Sequence, residues 1–143
     1  MKLSIGADHA GYEYKEKIIA ELKTQGIEVQ DFGTYSEESM DYPDVAHPVA
    51  ESVEAKKSDL GIVICGSGNG INITVNKHQG VRSALCWNTE LAELAKLHNN
   101  ANVLALPARF IDYDLALACV KTFLLTEFEG GRHERRVNKI ACK

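Results

Sequence analysis

One stretch constrains this chain more than any other: Leu60-Gly-Ile-Val-Ile-Cys65-Gly-Ser-Gly-Asn-Gly-Ile-Asn-Ile-Thr74. Its apolar, β-branched start suits a strand buried on both faces, and such strands belong to parallel sheets. Cys65 closes the run, and Gly66, Gly68 and Gly70 follow at once. Ile71 to Lys77 can then wind into a helix. Strand, glycine loop and helix together form an anion cradle. Glycines let several backbone N–H groups converge, and the helix start adds about half a positive charge. A nucleophilic or basic thiol beside such a cradle suits chemistry on a substrate that becomes an oxyanion.

The spacing excludes two common loops. The third glycine comes one residue early for a dinucleotide fingerprint, and Thr34 to Glu38 offers no clear ribose-binding acid. No Gly-Lys-Ser/Thr follows, so this is not a Walker loop. Alone, the loop says only that something anionic binds. Alone, Cys65 reads as a small buried hydrophobe at a strand end.

The rest of the chain alternates strand and helix signals. Lys2 to Ala7 reads as a strand, Tyr12 to Thr24 as a helix stopped near Gly26, and Ile27 to Phe32 as a strand nearer the sheet edge. Gly33 to Tyr42 is a polar connection. Pro43 opens a helix marked by Val45, Val49 and Val53, in which Pro48 is tolerable only within the first turn. Val81 to Trp87 is a fourth strand, and Thr89 can cap a helix over Glu90 to His98 with Leu91, Leu94 and Ala95 facing inward. Val103 to Leu106 is a fifth strand stopped by Pro107. Asp112 can cap a helix to about Thr126, with Tyr113, Leu117, Val120 and Leu124 on one face. Gly130-Gly131 breaks it, and Arg132 to Ile140 forms a terminal helix. This pattern predicts an α/β fold, a three-layer, Rossmann-like sandwich whose five-stranded parallel sheet carries helices on both faces.

The 143 residues fit one domain, 1–143, with a substantial core. A net charge of −4 argues against general nucleic-acid or membrane-surface binding. No segment has the apolar length of a membrane span, and the charge at residue 8 interrupts any signal-peptide pattern. Cys65, Cys86, Cys119 and Cys142 are widely spaced without a C-x-x-C pair or nearby His cluster, which speaks against zinc sites and disulfide frameworks. The expected compartment is the cytoplasm.

In open α/β sheets, ligands bind beyond the carboxyl ends of the strands. The first strand ends in Asp8-His9 and the third in Cys65 and its glycines. Asp8 alone could be a helix cap and His9 a loop residue, but two decorated strand ends reinforce each other. His98-Asn99-Asn100 precedes the fifth strand, where capping is the ordinary explanation. Arg132 and Arg136 stand four apart, so on a helix they share a face and can clamp one phosphate or carboxylate. The plainer reading is a solvated basic face, which suits Arg135. Arg109 follows Pro107 in the same strand-end layer as the glycine loop.

Together, Asp8-His9-Ala-Gly11, Asp41-Tyr42-Pro43, Cys65-Gly-Ser-Gly-Asn-Gly70, Val81-Arg82, His98-Asn99-Asn100-Ala-Asn102, Arg109 and Arg132…Arg136 resemble a known family. It is the sugar-phosphate isomerase family of the B-type ribose-5-phosphate isomerases, which includes galactose-6-phosphate and allose-6-phosphate isomerases. The likeness runs the length of the chain. It implies the strand order 2-1-3-5-4, no metal or organic cofactor, and a homodimer with sites at the interface, or a tetramer. It also implies interconversion of ribose 5-phosphate and ribulose 5-phosphate, a step of the pentose phosphate pathway.

The resemblance gives the residues roles. Cys65 would be the base that moves a proton between C2 and C1 of the open-chain sugar. The N–H groups of Gly66, Ser67, Gly68, Asn69 and Gly70 would hold the enediolate oxygen. His98 would donate the proton for ring opening, and Asp8 would position the sugar hydroxyls. Asn99 and Tyr42 would contact the sugar, while His9, Arg109, Arg132 and Arg136 would hold the phosphate. A family subgroup uses a Glu directly after the glycine loop instead of the Cys; Ile71 stands there, so Cys65 keeps the role. Ser67 replaces the commoner Thr and keeps the hydroxyl.

The chemistry is coherent by itself. Aldose–ketose isomerisation moves one proton between adjacent carbons, so one base can serve both. A thiol can be that base if nearby N–H dipoles and cations pull its pKa below about 8.5. Fixed donors stabilise an enediolate by about 3 kcal/mol each. Two readings of other classes stand against the isomerase. A phosphate-binding module needs the cradle and arginines but not Cys65 with His98. A thiol-redox protein needs Cys65 but not the arginines. Five- and six-carbon substrates differ in the span from carbonyl to phosphate, which backbone geometry sets.

Overall fold

The computed structural model describes residues 1–142. Five strands, β1 (Lys2–Ala7), β2 (Glu28–Asp31), β3 (Leu60–Cys65), β4 (Ser83–Leu85) and β5 (Val103–Pro107), form one sheet in the order β2-β1-β3-β5-β4. All four pairings are parallel, as the alternating pattern implied. Six helices connect and flank them: α1 (Tyr12–Thr24), α2 (Pro43–Glu54), α3 (Asn69–Val75), α4 (Thr89–Asn99), α5 (Tyr113–Leu125) and α6 (Arg132–Val137).

The period of two along the central strands builds two cores. Leu60, Ile62 and Ile64 of β3 join Leu3 and Ile5 of β1, Leu104 and Leu106 of β5, Ile18 and Leu22 of α1, and Val120 and Phe123 of α5. Val63 and Cys65 point to the other face, against Val45 and Val49 of α2, Ile71 and Val75 of α3, and Val103 and Ala105 of β5. Cys65 therefore ends a buried strand on the face that α2 and α3 cover. Within the α2 face, the hydroxyls of Ser4, Ser52 and Ser58 satisfy one another. Lys15 is fully buried, and its ammonium is neutralised by Asp31 at 2.8 Å and Glu16 at 2.7 Å.

Four local expectations need correction. Pro48 lies in the second turn of α2, not the first, and the helix still continues to Glu54. Asn88, not Thr89, caps α4: its side chain accepts from Leu91 N, and it has the extended backbone of a cap. Leu94 faces outward, while Ala92 and Ala95 are the buried residues of that helix. In α5 the core face is Ala116, Cys119, Val120 and Phe123, with Leu117 only half-buried. The Asp112 cap of α5 is present, with Oδ1 accepting from Leu115 N at 2.8 Å.

Candidate active site

The carboxyl edge of the sheet gathers most of the residues singled out by sequence. Asp8 is buried at the end of β1, and its Oδ1 accepts from Ala10 N (2.9 Å) and Gly11 N (3.2 Å). Part of its role is thus the ordinary one of shaping the turn into α1. The backbone ties the neighbouring strand ends together: Asp8 N donates to Ile64 O, Ala108 N to Cys65 O and Arg109 N to Gly66 O. The Arg109 side chain lies across Gly66, where an added Cβ would meet its Cδ at 3.2 Å and its Nη1 at 3.3 Å.

His9 reaches the polar connection, and its Nδ1 accepts from Met40 N at 3.2 Å. Accepting there puts the ring proton of the neutral form on Nε2, the nitrogen left to meet a ligand. Tyr42 precedes α2 and packs its ring end against Gly70. Gly68 takes a left-handed conformation with φ of 75°, and a side chain there would collide with Leu85.

Helix α3 starts at Asn69, two residues before the apolar run suggested. Ile71 is thus the third helical residue, and its N–H lies in the first turn without an intrahelical acceptor. The N–H groups of Ile71, Gly68 and Ser67 all act on the Cys65 thiol and favour its ionised form. The sequence reading confined the cradle to the N–H groups of Gly66 to Gly70; that the Ile71 N–H also turns toward Cys65 depends on how α3 leaves the glycine loop, which spacing does not show.

These donors do not prevail in the free chain. Burial comes first among the influences on Cys65, and together with the nearby Asp8 charge it pushes the thiol up from its ordinary value. In the isolated chain the balance thus runs against the thiolate: its desolvation beside a carboxylate costs more than three N–H dipoles return. Cations must arrive to favour the thiolate.

The remaining residues lie elsewhere. Helix α4 runs back from the carboxyl edge to feed the amino end of β5, so His98 and Asn99 sit at the opposite end of the sheet from Cys65 of the same chain. The five residues of β5 alone extend about 16 Å. Arg132 and Arg136 accompany His98, because α6 packs on α4 and the His133 ring stacks on that of His98 at 4.2 Å. His133 is held below the usual histidine range, first by burial and then by the neighbouring His98. Arg82 anchors this end: its Nε donates to Asn99 O (3.2 Å) and Asn100 O (3.1 Å), and its Nη2 to Asn100 O (2.8 Å).

One chain thus presents two half-sites. The first holds Asp8, His9, Tyr42, Cys65 to Gly70 and Arg109; the second holds His98, Asn99, Arg132 and Arg136. Beside the first lies a cleft of about 510 Å³ lined by Ser67, Asn69, Leu85, Trp87, Pro107 and Phe110, among others. Trp87 and Phe110, 53% and 74% exposed, both line this one cleft.

Comparison with known proteins gives a consistent result. Residues 3–140 match the family model described as Ribose/Galactose Isomerase. Ribose-5-phosphate isomerase B of Escherichia coli (strain K12) is 43% identical over 141 residues, covering 99% of this chain and 95% of that protein. The solved structure of ribose-5-phosphate isomerase B from Clostridium thermocellum superposes with a TM-score of 0.96 at 52% identity, covering 98% of this chain and 95% of that one. The Mycoplasma genitalium enzyme, solved with bound ribulose-5-phosphate, gives a TM-score of 0.94 at 43% identity, with 97% and 93% covered.

Proposed function

This chain belongs to the ribose/galactose isomerase family and is a ribose-5-phosphate isomerase; we propose that it works through an enediolate, with Cys65 as the base and no metal. The observation that carries this is the convergence of the Ile71, Gly68 and Ser67 N–H groups on a thiol at the end of β3. After ring opening, the Cys65 thiolate removes the C2 proton and the electrons move onto the carbonyl oxygen at C1; the hydroxyl proton then passes from O2 to O1, and the protonated thiol returns its proton to C1 as the C2 carbonyl forms. N–H groups of Gly66 to Gly70 stabilise the negative oxygen as it forms. Asp8 orients the hydroxyls through the oxygen not engaged in its turn.

The second half of the site comes from a second copy. His98, Asn99, Arg132 and Arg136 cannot reach Cys65 of their own chain, and the exposed Trp87 and Phe110 offer a partner an apolar surface beside the glycine loop. In that homodimer, or in a tetramer built from it, His98 of one copy opens the ring held by the other. Asn99 and Tyr42 hold the sugar, and His9, Arg109, Arg132 and Arg136 clamp the phosphate. The arriving arginines also supply the positive charge that the buried thiol lacks. Among the described residues no helix is long and apolar enough to cross a membrane. With Cys65, Cys86, Cys119 and Cys142 all free thiols, we place the protein in the cytoplasm.

The deciding experiment measures ketose formation from ribose 5-phosphate in EDTA, beside allose 6-phosphate and galactose 6-phosphate. Preference for ribose 5-phosphate by kcat/KM supports the reading; preference for a six-carbon substrate moves the enzyme to the other branch of the family. Loss of activity in EDTA that returns with a divalent metal would refute the metal-free mechanism.

A further inference from the structure

The geometry points to a second use of the half-site at the end of α4: we propose that His98, Glu129 and His133 bind a borderline divalent ion such as Zn²⁺, and that metal bound there inhibits the enzyme. Among the described residues these three form one cluster of metal-ligating side chains, with a ligand atom from each lying within 4.8 Å of the others. Two imidazoles and a carboxylate are a donor set that suits Zn²⁺, with a fourth position left for water. The two imidazoles disfavour Mg²⁺ and Ca²⁺, which prefer shells of oxygen.

The local structure brings these groups together without any metal. The His98 and His133 rings stack, 14° from parallel with centroids 4.2 Å apart, which holds the two imidazoles side by side; one ring must turn out of the stack before both nitrogens can meet one ion. Glu129 Oε2 lies 3.8 Å from His98 Nε2, and Glu129 N is tied to Leu97 O at 3.1 Å, which fixes the carboxylate beside the end of α4. His133 is buried in the first turn of α6. Tetrahedral zinc with bonds of 2.0–2.1 Å spaces its donors about 3.3 Å apart, so side-chain rotation has to bring these ligand atoms, now within 4.8 Å of one another, closer together.

Nothing in the isomerase mechanism calls on Glu129 or His133. His98 is the shared group: a ring nitrogen that holds Zn²⁺ cannot also deliver the proton for ring opening. The inhibitory part of the proposal rests on the role given to His98 above; the binding part does not.

The test uses the full-length protein freed of metal with EDTA. Titration with Co²⁺ should give the visible absorption of a four-coordinate site, and Zn²⁺ should displace it. Zn²⁺ should also inhibit turnover of ribose 5-phosphate. Glu129→Gln and His133→Ala should lose the Co²⁺ bands and require at least about tenfold more Zn²⁺ to inhibit the metal-free activity that each retains. Glu129 is exposed, so its variant stays informative even if His133→Ala misfolds. Unchanged Co²⁺ bands in Glu129→Gln, or a thiolate-to-cobalt charge-transfer band marking Cys65 as the ligand, would overturn the proposal. Bands that respond to both variants in a protein without isomerase activity would instead uphold the site and refute the assigned function.

Discussion

The ring of Tyr42 stands so close to Gly70 that a Cβ on Gly70 would lie 2.4 Å from Tyr42 Cζ and 2.8 Å from its hydroxyl oxygen. No backbone atom is among the nearest neighbours, and Tyr42 is 38% exposed, so the ring is free to swing away. Gly70→Ala should therefore leave the melting temperature almost unchanged while displacing Tyr42 from the sugar. A KM for ribose 5-phosphate raised about tenfold, or about 1.4 kcal/mol of lost binding, is the expected outcome. Gly68→Ala is the contrast: φ of 75° and a clash at 2.4 Å with Leu85 Cδ1 should destabilise the fold by about 2 kcal/mol or more. Equal effects of the two substitutions on melting would contradict this separation.

Cys65→Ser keeps the size and hydrogen bonding of the side chain but raises its pKa far beyond that of a thiol. Turnover and deuterium incorporation at C2 should fall by about two to four orders of magnitude, while a linear hydroxamate that mimics the enediolate still binds. Near wild-type exchange in this variant would end the thiol-base mechanism and leave Asp8 as the next candidate.

Alkylation reads the thiol directly. Burial pushes Cys86 up to about 12 and Cys119 up to about 11, so both should be inert, and the exposed Cys142 should react first. Burial and Asp8 likewise raise Cys65, which holds the neutral thiol over a wider pH range than in the unfolded chain. Its stabilising effect is present below the ordinary thiol value and is lost as pH rises through the folded one. Modification of Cys65 in the free chain should climb only on the alkaline side of the ordinary value, as peptide mapping after iodoacetamide would record. In the wild-type assembly the rise should come at lower pH than in the free chain, and Arg132→Ala and Arg136→Ala, which should also bind phosphate more weakly, should move it back up.

The two-copy site predicts complementation. Cys65→Ser and His98→Asn are each defective alone. A mixed dimer has one site with both defects and one with neither, so co-refolded equimolar chains should recover roughly a quarter of wild-type activity. No recovery in a mixture shown to contain hybrids would place both residues in one chain's site.

Away from the site, Glu54 accepts from Gly80 N at 2.9 Å and meets His78 Nδ1 at 2.8 Å, and His78 in turn meets His47 at 2.8 Å. The Gly80 N–H first, and then His78, hold the Glu54 carboxyl below its ordinary value. A depressed folded pKa stabilises above the unfolded value, about 4.3, and that contribution disappears as pH falls through the folded one. Urea titrations should thus show Glu54→Gln less stable than wild type near neutrality, with the gap closing below about pH 4. A gap independent of pH would assign the loss to packing.

Much of this protein was legible in its order of residues. Buried parallel strands demand continuous apolar runs, so Leu60 to Cys65 and Val103 to Leu106 announced themselves, and glycines between strand and helix marked the cradle. The polar ends of β1 and β3 stood out because the sheet itself has no use for Asp8 or Cys65 there. Caps were less secure: Asn88 and Thr89 are adjacent and both competent, and only backbone geometry chose between them. Spatial grouping was out of reach. The residue spacing cannot tell that α4 carries His98 to the far end of the sheet from Cys65, since that separation follows from parallel strands and the return path of the connecting helix. Nor can it weigh burial against three N–H donors at the Cys65 sulfur, because desolvation depends on the packing of α2 and α3 around it. The sequence by itself determined which chemical groups are present and which strand ends carry them; the tertiary structure alone decided that they gather at opposite ends of the sheet, and that burial outweighs the N–H donors at the thiol, because both follow from how the helices pack back on the strands.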